Sequence, residues 1–366
     1  MFLNGILFFG GAVFENEELM KALVKKAKGV GNVELDFNYP RPQVKPGWVL
    51  VEVYACGICG TDLHILEDTH KNWPPVVLGH EYVGKIVEVG SDSGNWKVGD
   101  RVVCEQHHGA CLKCDACRKG AVHLCSDKRS PGWGIDGAFA EYVLLPAYYL
   151  HKVPDGVSYQ SATVTEPTAI CITGLDRVNL QSGEKVLVIG PGPIGIISAM
   201  LANLSGASQV VIAGRKSSES RLALAKKLGI ETYLISDWEQ STKDLADSFD
   251  VAIDSAGNGE AFDLCSSSIK KMGRILELGI ASEKQIKMNM NSAMYKAASI
   301  YFSMSSEYSS WERALNLMES KKYDPAVLTQ LFTLDDWEHA FSAVEKRAVI
   351  KGVITPKNFE ALSLSK

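Results

Sequence analysis

A strand, a glycine-rich turn and a helix follow one another directly in the middle of the chain. The run KVLVIG (185–190) is short and apolar, as in a buried strand, and the apolar spacing after it continues as a helix through Leu204. Between them, GPGPIG fits the pattern G-x-G-x-x-G and comprises Gly190, Pro191, Gly192, Pro193, Ile194 and Gly195. This succession constrains the fold most, because it is typical of the first strand, turn and helix of a doubly wound parallel sheet.

The same alternation continues after the glycine-rich turn. QVVIAG (209–214) is a second apolar run, SESRLALAKKLG predicts a helix that ends at Gly229, and FDVAIDSAG and GRILELGIA predict two more strands. Strands that alternate with helices of this length form a parallel α/β sheet. We therefore predict one such domain over residues 170–306.

The segments on either side have a different pattern. VLVEVYAC (49–56) and VGKIVEVG (83–90) are short, rich in β-branched residues and separated by glycine and aspartate, which predicts a β domain over residues 20–169. Residues 307–366 begin with a helix and end in a strand that we expect to rejoin this domain. Residues 1–19 form an N-terminal extension, either an upstream start or an interface segment.

The glycine-rich turn predicts a dinucleotide site, because its backbone can approach a pyrophosphate that the free N–H groups of the helix N-terminus bind. The alternative is a turn that binds nothing. An NAD site usually carries an acidic residue at the tip of the second strand, but this tip reads Gly214-Arg215-Lys216. We therefore expect NADP in preference to NAD, with the 2′-phosphate in the space at Gly214, bound by Arg215 and more weakly by Lys216. The alternative is that Arg215 and Lys216 are a solvated pair in a loop.

Four cysteines lie close together in the β domain, at the spacing C-x2-C-x2-C-x7-C within residues 109–126. Four thiolates complete a tetrahedron and leave no open position, which indicates a structural zinc site. The alternatives are an iron–sulfur cluster or a loop without metal. The ligands would be Cys111, Cys114, Cys117 and Cys125. The neighbouring histidines are then surface residues or groups that support the ligands; they are His107, His108 and His123.

A second candidate metal site combines Cys59, His80 and Glu166. One thiolate, one imidazole and one carboxylate leave a coordination position of zinc open for water or substrate. Zinc at such a site polarises an alcohol oxygen and lowers its pKa, which favours hydride transfer to a nicotinamide. Thr61 and His64 follow Cys59 closely and could pass the alcohol proton to solvent. For His64 alone, a surface histidine is the usual interpretation, but the residues around it favour the relay.

Composition narrows the class of protein further. The formal net charge is −5 and no block of like charges occurs, so we expect no nucleic-acid partner. No stretch is long and apolar enough for a membrane span, and the N-terminus lacks the basic region of a signal peptide. Clustered cysteines indicate metal binding in a reducing compartment, so we expect a cytoplasmic protein.

Six motifs in order resemble the zinc-containing medium-chain alcohol dehydrogenases, and their polyol (sorbitol-type) branch in particular. They are CGICGTDLH, GHE, the four-cysteine loop, GIDGAFAEYV, EP and GPGPIG, and the resemblance covers nearly the whole chain from Met20 to Pro356. The resemblance implies a GroES-like β domain with an inserted Rossmann domain and the active site between them. It also implies that Cys59 and His80 bind the catalytic zinc, with Glu81 as the matching carboxylate.

Within this family, Glu166 occupies the position where simpler alcohol dehydrogenases carry a second cysteine, and it binds zinc directly or through water. That difference favours a polyol or another polar secondary alcohol, which is oxidised reversibly to a ketone. The nearest alternatives are a threonine 3-dehydrogenase or a butanediol-type dehydrogenase, and a remote one is a non-enzymatic zinc-ribbon ligand sensor. The resemblance further implies a homodimer or homotetramer. The chain departs from the family pattern in its N-terminal extension, at Gly214-Arg215 and at Thr168.

Overall fold

The computed structural model describes residues 18–281, 283 and 285–356, so most of the N-terminal extension lies outside the described residues. No helix in the described part is long and apolar enough to cross a membrane. The strands are β1 (Leu19–Lys25), β2 (Val33–Pro40), β3 (Trp48–Gly57), β4 (Val76–Val77), β5 (Glu81–Val89), β6 (Arg101–Cys104), β7 (Tyr142–Pro146), β8 (Leu150–Lys152), β9 (Lys185–Ile189), β10 (Gln209–Arg215), β11 (Glu231–Ile235), β12 (Phe249–Asp254), β13 (Ile269–Glu277), β14 (Ser299–Phe302), β15 (Thr329–Thr333) and β16 (Lys351–Thr355). The helices are α1 (Gly60–Leu66), α2 (Asp115–Arg118), α3 (Tyr159–Thr163), α4 (Thr165–Arg177), α5 (Pro193–Leu204), α6 (Glu219–Lys227), α7 (Trp238–Asp244), α8 (Gly259–Ser268), α9 (Met290–Tyr295), α10 (Tyr308–Glu319) and α11 (Trp337–Glu345).

The parallel sheet has the strand order β11-β10-β9-β12-β13-β14. Each neighbouring pair is parallel, and Ile189 at the end of β9 lies between Ala213 on β10 and Asp254 on β12. This is the order of a Rossmann sheet, and it confirms the predicted doubly wound fold. The order reverses at β9, so a crevice opens at the carboxyl ends of β9, β10 and β12, where such sheets bind ligands.

The other large sheet is mainly antiparallel, in the order β15-β16-β3-β5-β6-β8, with β7 also paired to β3. At its centre, β3 is flanked by β5 and by the late strand β16, with Gly57 opposite both Glu81 and Val353. A separate small sheet of β2, β1 and β4 packs beside it. Residues from both ends of the described chain therefore build the sheet next to Cys59 and His80.

Helix α4 connects the two sheets. It follows directly on α3, packs against α5 of the parallel sheet, and is covered by α10 on another side. Its inward residues share one apolar cluster with Val186 and Val188 of β9 and with Ala55 and Val83 of the antiparallel sheet. This continuous core fixes the position of Glu166, in the first turn of α4, between the two sheets.

Candidate active site

Cys59, His80 and Glu81 bring their ligand atoms within 4.8 Å of one another. Cys59 is the N-cap residue of α1, two residues after β3 ends, and Glu81 is the first residue of β5. Because Gly57 and Glu81 are paired across β3 and β5, the register of the sheet sets this cluster. A side chain at position 57 would bring Cβ within 2.5 Å of the Glu81 carboxylate, so only glycine leaves room for that carboxylate.

The carboxylate of Asp62 contacts two of these residues, Cys59 and His80. Its Oδ2 accepts a hydrogen bond from the backbone N–H of Cys59 at 2.8 Å, and its Oδ1 lies 3.5 Å from Nδ1 of His80. Burial by itself lowers the pKa of His80, but the charges of Asp62 and Cys59 outweigh it and raise that pKa well above its usual range. A carboxylate behind a histidine is the usual support of a zinc ligand, so this donor set fits zinc.

Lys351 supports the third member of the cluster. Its ammonium group forms a buried ion pair with Glu81 and donates to the backbone oxygen of Ile58 at 3.0 Å. Lys351 is the first residue of β16, which pairs with β3 from a part of the sequence almost 300 residues away. Neither Asp62 nor Lys351 was among the predicted site residues; Asp62 lies inside CGICGTDLH, but nothing in the sequence pattern marks Lys351.

Glu166 lies near the cluster but outside the group whose ligand atoms are within 4.8 Å of one another. Its side chain is buried, and burial together with the charge of Glu81 raises its pKa to about 7. In the described residues, the structure thus groups Glu81 with Cys59 and His80 and places Glu166 beside them. This position is compatible with contact through a water molecule.

The proposed proton relay lies on α1. Thr61 is half-buried two residues after Cys59, and the side chain of His64 is 51% exposed. Nδ1 of His64 lies 3.3 Å from the hydroxyl of Thr69 and 3.5 Å from the carboxylate of Glu67. His64 is therefore in contact with solvent, as a group that exchanges protons with bulk water must be.

The four cysteines of the loop also form one cluster, with sulfur atoms within 4.8 Å of one another. The backbone N–H of Cys111 donates to Sγ of Cys125 at 3.4 Å, and that of Cys114 donates to Sγ of Cys111 at 3.3 Å. Hydrogen bonding lowers the pKa of Cys125 to about 7. Such bonds favour thiolates, so the donor set fits a structural zinc ion.

The histidines beside this loop are buried, so their interpretation as surface residues is wrong. Nε2 of His107 lies 3.0 Å from the backbone oxygen of Ser306 and 3.4 Å from the Glu105 carboxylate. Burial lowers the pKa of His107 and of His108 to about 3, which keeps both rings neutral. His107 and His108 pack against Tyr149, and His108 also packs against Trp48, which the spacing in the sequence does not reveal. The third histidine, His123, is also buried.

A cavity of about 220 Å³ lies at the carboxyl ends of β9 and β10. Gly190, Pro191 and Gly192 line it, whereas Pro193, Ile194 and Gly195 begin α5 behind it. Its other polar lining residues are Arg215, Ser218, Arg221, Ser255, Asn258 and Arg347. The predicted turn thus opens into a cavity large enough for part of a dinucleotide.

The structure agrees with one part of the predicted phosphate site and alters another. Gly214 lines the cavity, and a side chain there would bring Cβ within 2.7 Å of the Pro191 ring. Lys216 begins a short helical turn and does not line the cavity. Arg221 and Arg347 line it instead; sequence reasoning missed them because they lie 26 or more residues after the motif.

The sequence matches two family models, the Alcohol dehydrogenase GroES-like domain over residues 45–155 and the Zinc-binding dehydrogenase over residues 193–320. It is 34% identical to a sorbitol dehydrogenase of Halalkalibacterium halodurans, over 92% of this chain and 99% of that protein. It is also 34% identical to an L-threonine 3-dehydrogenase of Cronobacter sakazakii, over 89% of this chain and 96% of that protein.

A solved structure, that of a zinc-binding dehydrogenase from Sinorhizobium meliloti 1021 bound to NADP, superposes with a TM-score of 0.86 at 28% identity. The superposition covers 93% of this chain and 100% of that one. These matches confirm the predicted combination of a GroES-like and a Rossmann fold, and they argue against the interpretation as a non-enzymatic sensor. The chain therefore belongs to the zinc-dependent alcohol and polyol dehydrogenase family.

Proposed function

We propose that the protein oxidises a polyol or another secondary alcohol to a ketone, reversibly, with NADP in preference to NAD. One observation carries this proposal: a single short segment reaches both candidate sites. Arg347 lines the cavity at the glycine-rich turn, and Lys351 pairs with Glu81 at the metal cluster. Four residues span at most about 14 Å, so the cavity and the metal cluster are close enough for one extended dinucleotide to reach from the first to the second.

Five residues bind or position the catalytic zinc in this proposal. Cys59, His80 and Glu81 hold the catalytic zinc, which when bound polarises the alcohol oxygen. Asp62 and Lys351 fix the orientation of these side chains.

Two further groups complete the proposed chemistry around the zinc. Thr61 and His64 lead the alcohol proton to solvent. The buried carboxyl group of Glu166 has a pKa of about 7 and exchanges contacts with the substrate or its water.

The preference for NADP rests on the charges around the cavity. Three arginines line it, Arg215, Arg221 and Arg347, and no aspartate or glutamate is among its lining residues. Burial and the neighbouring Arg347 lower the pKa of Arg221, which reflects two cations close together. A 2′-phosphate would compensate this charge, whereas the ribose hydroxyl of NAD would not.

Steady-state kinetics with both nucleotides test this preference. We expect Arg215→Ala to lower kcat/KM for NADP by about 10- to 100-fold and to leave that for NAD nearly unchanged, since charged hydrogen bonds contribute about 1.5–3 kcal/mol. Lys216→Ala is the matched control and should have a much smaller effect. A wild-type kcat/KM for NAD equal to that for NADP would refute the preference.

The two clusters of ligand atoms also predict how much zinc the protein binds. We propose one catalytic zinc at Cys59, His80 and Glu81 and one structural zinc at the four cysteines of residues 109–126. Elemental analysis of the purified protein should therefore return close to two zinc per chain.

L-Threonine is the second candidate substrate, because of the relative from Cronobacter sakazakii. A panel of sorbitol, xylitol, 2,3-butanediol and L-threonine with NADP separates the alternatives. The dominant kcat/KM identifies the substrate type. If the loaded enzyme turned over none of these nor any other secondary alcohol, the proposed activity would be refuted.

We also propose a cytoplasmic homodimer or homotetramer. Its β domain comprises residues 20–169, its cofactor domain residues 170–306 and its returning segment residues 307–366. The oligomer is supported by β14, at the edge of the parallel sheet, and by the exposed side chains of Ile280, Met290, Phe302 and Met304 around it. An unpaired edge strand beside exposed apolar residues is typical of a surface that pairs with another chain.

A further inference from the structure

A turn of the antiparallel-sheet domain reaches the nucleotide cavity. Arg347 lies in the turn between α11 and β16, and β16 pairs with β3 of the antiparallel sheet. Arg215 and Arg221 belong instead to β10 and α6, and α6 packs against β10 of the parallel sheet. All three residues line one cavity. Cations from two domains therefore surround the same small space.

One hydrogen bond joins the two domains at this cavity. Nη2 of Arg221 donates to the backbone oxygen of Val349 at 2.9 Å, so this guanidinium touches the turn two residues after Arg347. The Nε–H of Arg221 is buried and has no hydrogen-bond partner in the described part of the chain. A buried donor without a partner is unusual, and beside two further guanidinium groups it fits an anionic acceptor.

The turn that carries Arg347 is fixed at both ends. The backbone N–H groups of Arg347 and Ala348 donate to carbonyl groups in the last turn of α11, at 3.0 and 2.9 Å. Residues 349–350 are buried, and Lys351 then forms its ion pair with Glu81 of the metal cluster. An anion that draws Arg347 toward the nucleotide therefore moves the turn and β16 together, and with them the metal pocket.

The charges of the three arginines decide whether the two domains approach each other here. In a cavity of about 220 Å³ they are close enough to repel one another, and no carboxylate among the lining residues balances them. A phosphate group between them reverses this effect, because each guanidinium then binds the same anion. NAD carries a hydroxyl group in place of the 2′-phosphate, so it leaves the repulsion between the domains in force.

We propose that the 2′-phosphate of NADP acts as a clamp between the domains, bound by Arg215 and Arg221 from one side and by Arg347 from the other. This inference rests on the proposed dehydrogenase function and its preference for NADP, and it assigns that preference to the chemical step. Arg347 is then a positioning residue. A part of the cofactor that does not react brings the alcohol and the nicotinamide to reacting distance.

Free phosphate offers the same chemistry as the 2′-phosphate, so it should fill the clamp beside NAD. Stopped-flow absorbance follows a single turnover of the zinc-loaded enzyme with the best alcohol of the substrate panel. We expect inorganic phosphate to speed hydride transfer to NAD by about 5-fold or more over potassium chloride at the same ionic strength, part of the effect of one charged hydrogen bond. Hydride transfer to NADP should gain nothing, because its own phosphate occupies the site.

Variants of Arg347 assign this effect to the turn. Arg347→Gly suits the backbone, because φ at this position is 58°. It should slow hydride transfer to NADP by about 10-fold or more, raise KM for NADP by less than about 3-fold and abolish the gain from phosphate with NAD. Arg347→Lys should retain part of the rate, since the charge remains.

Two further variants separate the clamp from simple binding. Arg215→Ala should act mainly on KM for NADP, because Arg215 belongs to the same domain as the glycine-rich turn. Lys346→Gln is the matched control, since it removes a cation from an exposed neighbouring position that does not line the cavity. It should leave both the hydride-transfer rate and the response to phosphate unchanged.

Hydrogen exchange gives a readout that does not depend on turnover. NADP should slow amide exchange in residues 346–350 by about 10-fold more than NAD does, because the clamp suppresses local opening of the turn. NAD with inorganic phosphate should approach the protection seen with NADP. In Arg347→Gly, the two nucleotides should protect this turn equally.

Three outcomes would overturn the clamp while the dehydrogenase function and the NADP preference stand. They are equal hydride-transfer rates for NAD with phosphate and with chloride, an Arg347→Gly variant that loses NADP affinity but keeps its rate, and equal protection of residues 346–350 by both nucleotides. A wild-type preference for NAD would instead refute the proposed NADP preference and the clamp with it. If no alcohol were turned over with either nucleotide, the dehydrogenase function would fail, and hydrogen exchange would still decide on the clamp.

Discussion

Cys59 and Cys114 are both candidate zinc ligands, but they belong to sites with different demands. We expect Cys59→Ser to lower kcat by at least about 100-fold, because an open site loses its metal or its geometry, while the melting temperature changes little. Cys114→Ser should instead lower thermal stability, since a closed four-thiolate site contributes folding free energy. Activity assays, zinc analysis and thermal melting of both variants measure the contrast, and similar behaviour of the two would contradict the division into two sites.

We expect the free energy of unfolding to depend on pH through Glu277. It lies beside Asp254 at the ends of neighbouring strands, and burial together with Asp254 raises its pKa from 4.5 to about 8. The folded protein thus keeps a proton that the unfolded chain releases, so the free energy of unfolding should fall by roughly 2–4 kcal/mol as pH rises from about 4.5 to about 8. Glu277→Gln should remove most of this decrease in urea unfolding between pH 5 and pH 9.

The control for this titration is Glu319→Gln, at an exposed position at the end of α10. It should leave the pH dependence unchanged. A wild-type slope that persisted in Glu277→Gln would show that other groups dominate.

At the same scale, the sequence alone identifies residues that stand in compact motifs. Cys59, His80 and the four clustered cysteines could be predicted from residue types that bind metal, whereas Glu81 was implied only by the resemblance to the family, and the residues themselves suggested Glu166 as the carboxylate. Lys351 and Arg347 could not, because single cations carry no pattern and reach their sites only through β16 and the turn before it. Burial of His107 and His108 depends on packing, which spacing does not encode.

Two glycines in the turn between β9 and α5 have different roles, one in packing within the turn and the other in the approach of the cofactor. A Cβ at Gly195 would lie 1.9 Å from the backbone oxygen of Gly190, whereas a Cβ at Gly192 would meet nothing within 4 Å. Gly195→Ala should therefore lower the free energy of unfolding by about 2 kcal/mol or more, since the turn must shift. Gly192→Ala should leave stability unchanged and raise KM for NADP, because the methyl group points into the space of the nucleotide.

Denaturant unfolding and cofactor titration distinguish these two variants. Equal destabilisation by both changes would contradict the assignment of Gly192 to ligand approach and of Gly195 to turn packing.

Strands with continuous apolar runs, such as β9 and β10, could be predicted from the sequence. The edge strands β11 and β14 were not predicted; β11 is half-exposed and β14 has only four residues. Edge strands lack the two-sided burial that produces a long apolar run, so their signal is weak. The order of the strands depends on how the segments connect and pack, so the sequence of a single strand does not reveal it.

Within the described residues, β14 has a neighbour strand on one side only, and this open edge affects how copies of the protein can associate. Phe302 at its end is 73% exposed and lines an apolar cavity of about 470 Å³ together with Ile280 and Met304. We expect a second copy to cover this surface, and Phe302→Asp should convert the oligomer into monomers, since a buried carboxylate at the contact is costly. Size-exclusion chromatography with light scattering measures the change, and Tyr148→Asp, at another exposed aromatic residue, is the control.

The late position of β16 has a consequence for biosynthesis. A ribosome releases every strand of the parallel sheet before β16, so that sheet can fold while the remaining segment is still being made. The antiparallel sheet stays incomplete for longer, because β3 can pair with β5 and β7 but lacks its partner at Cys56 and Gly57 until β16 emerges. Lys351 can reach Glu81 only after every strand of the parallel sheet has been made. We therefore expect a nascent chain to acquire its nucleotide-binding half before its metal pocket is complete.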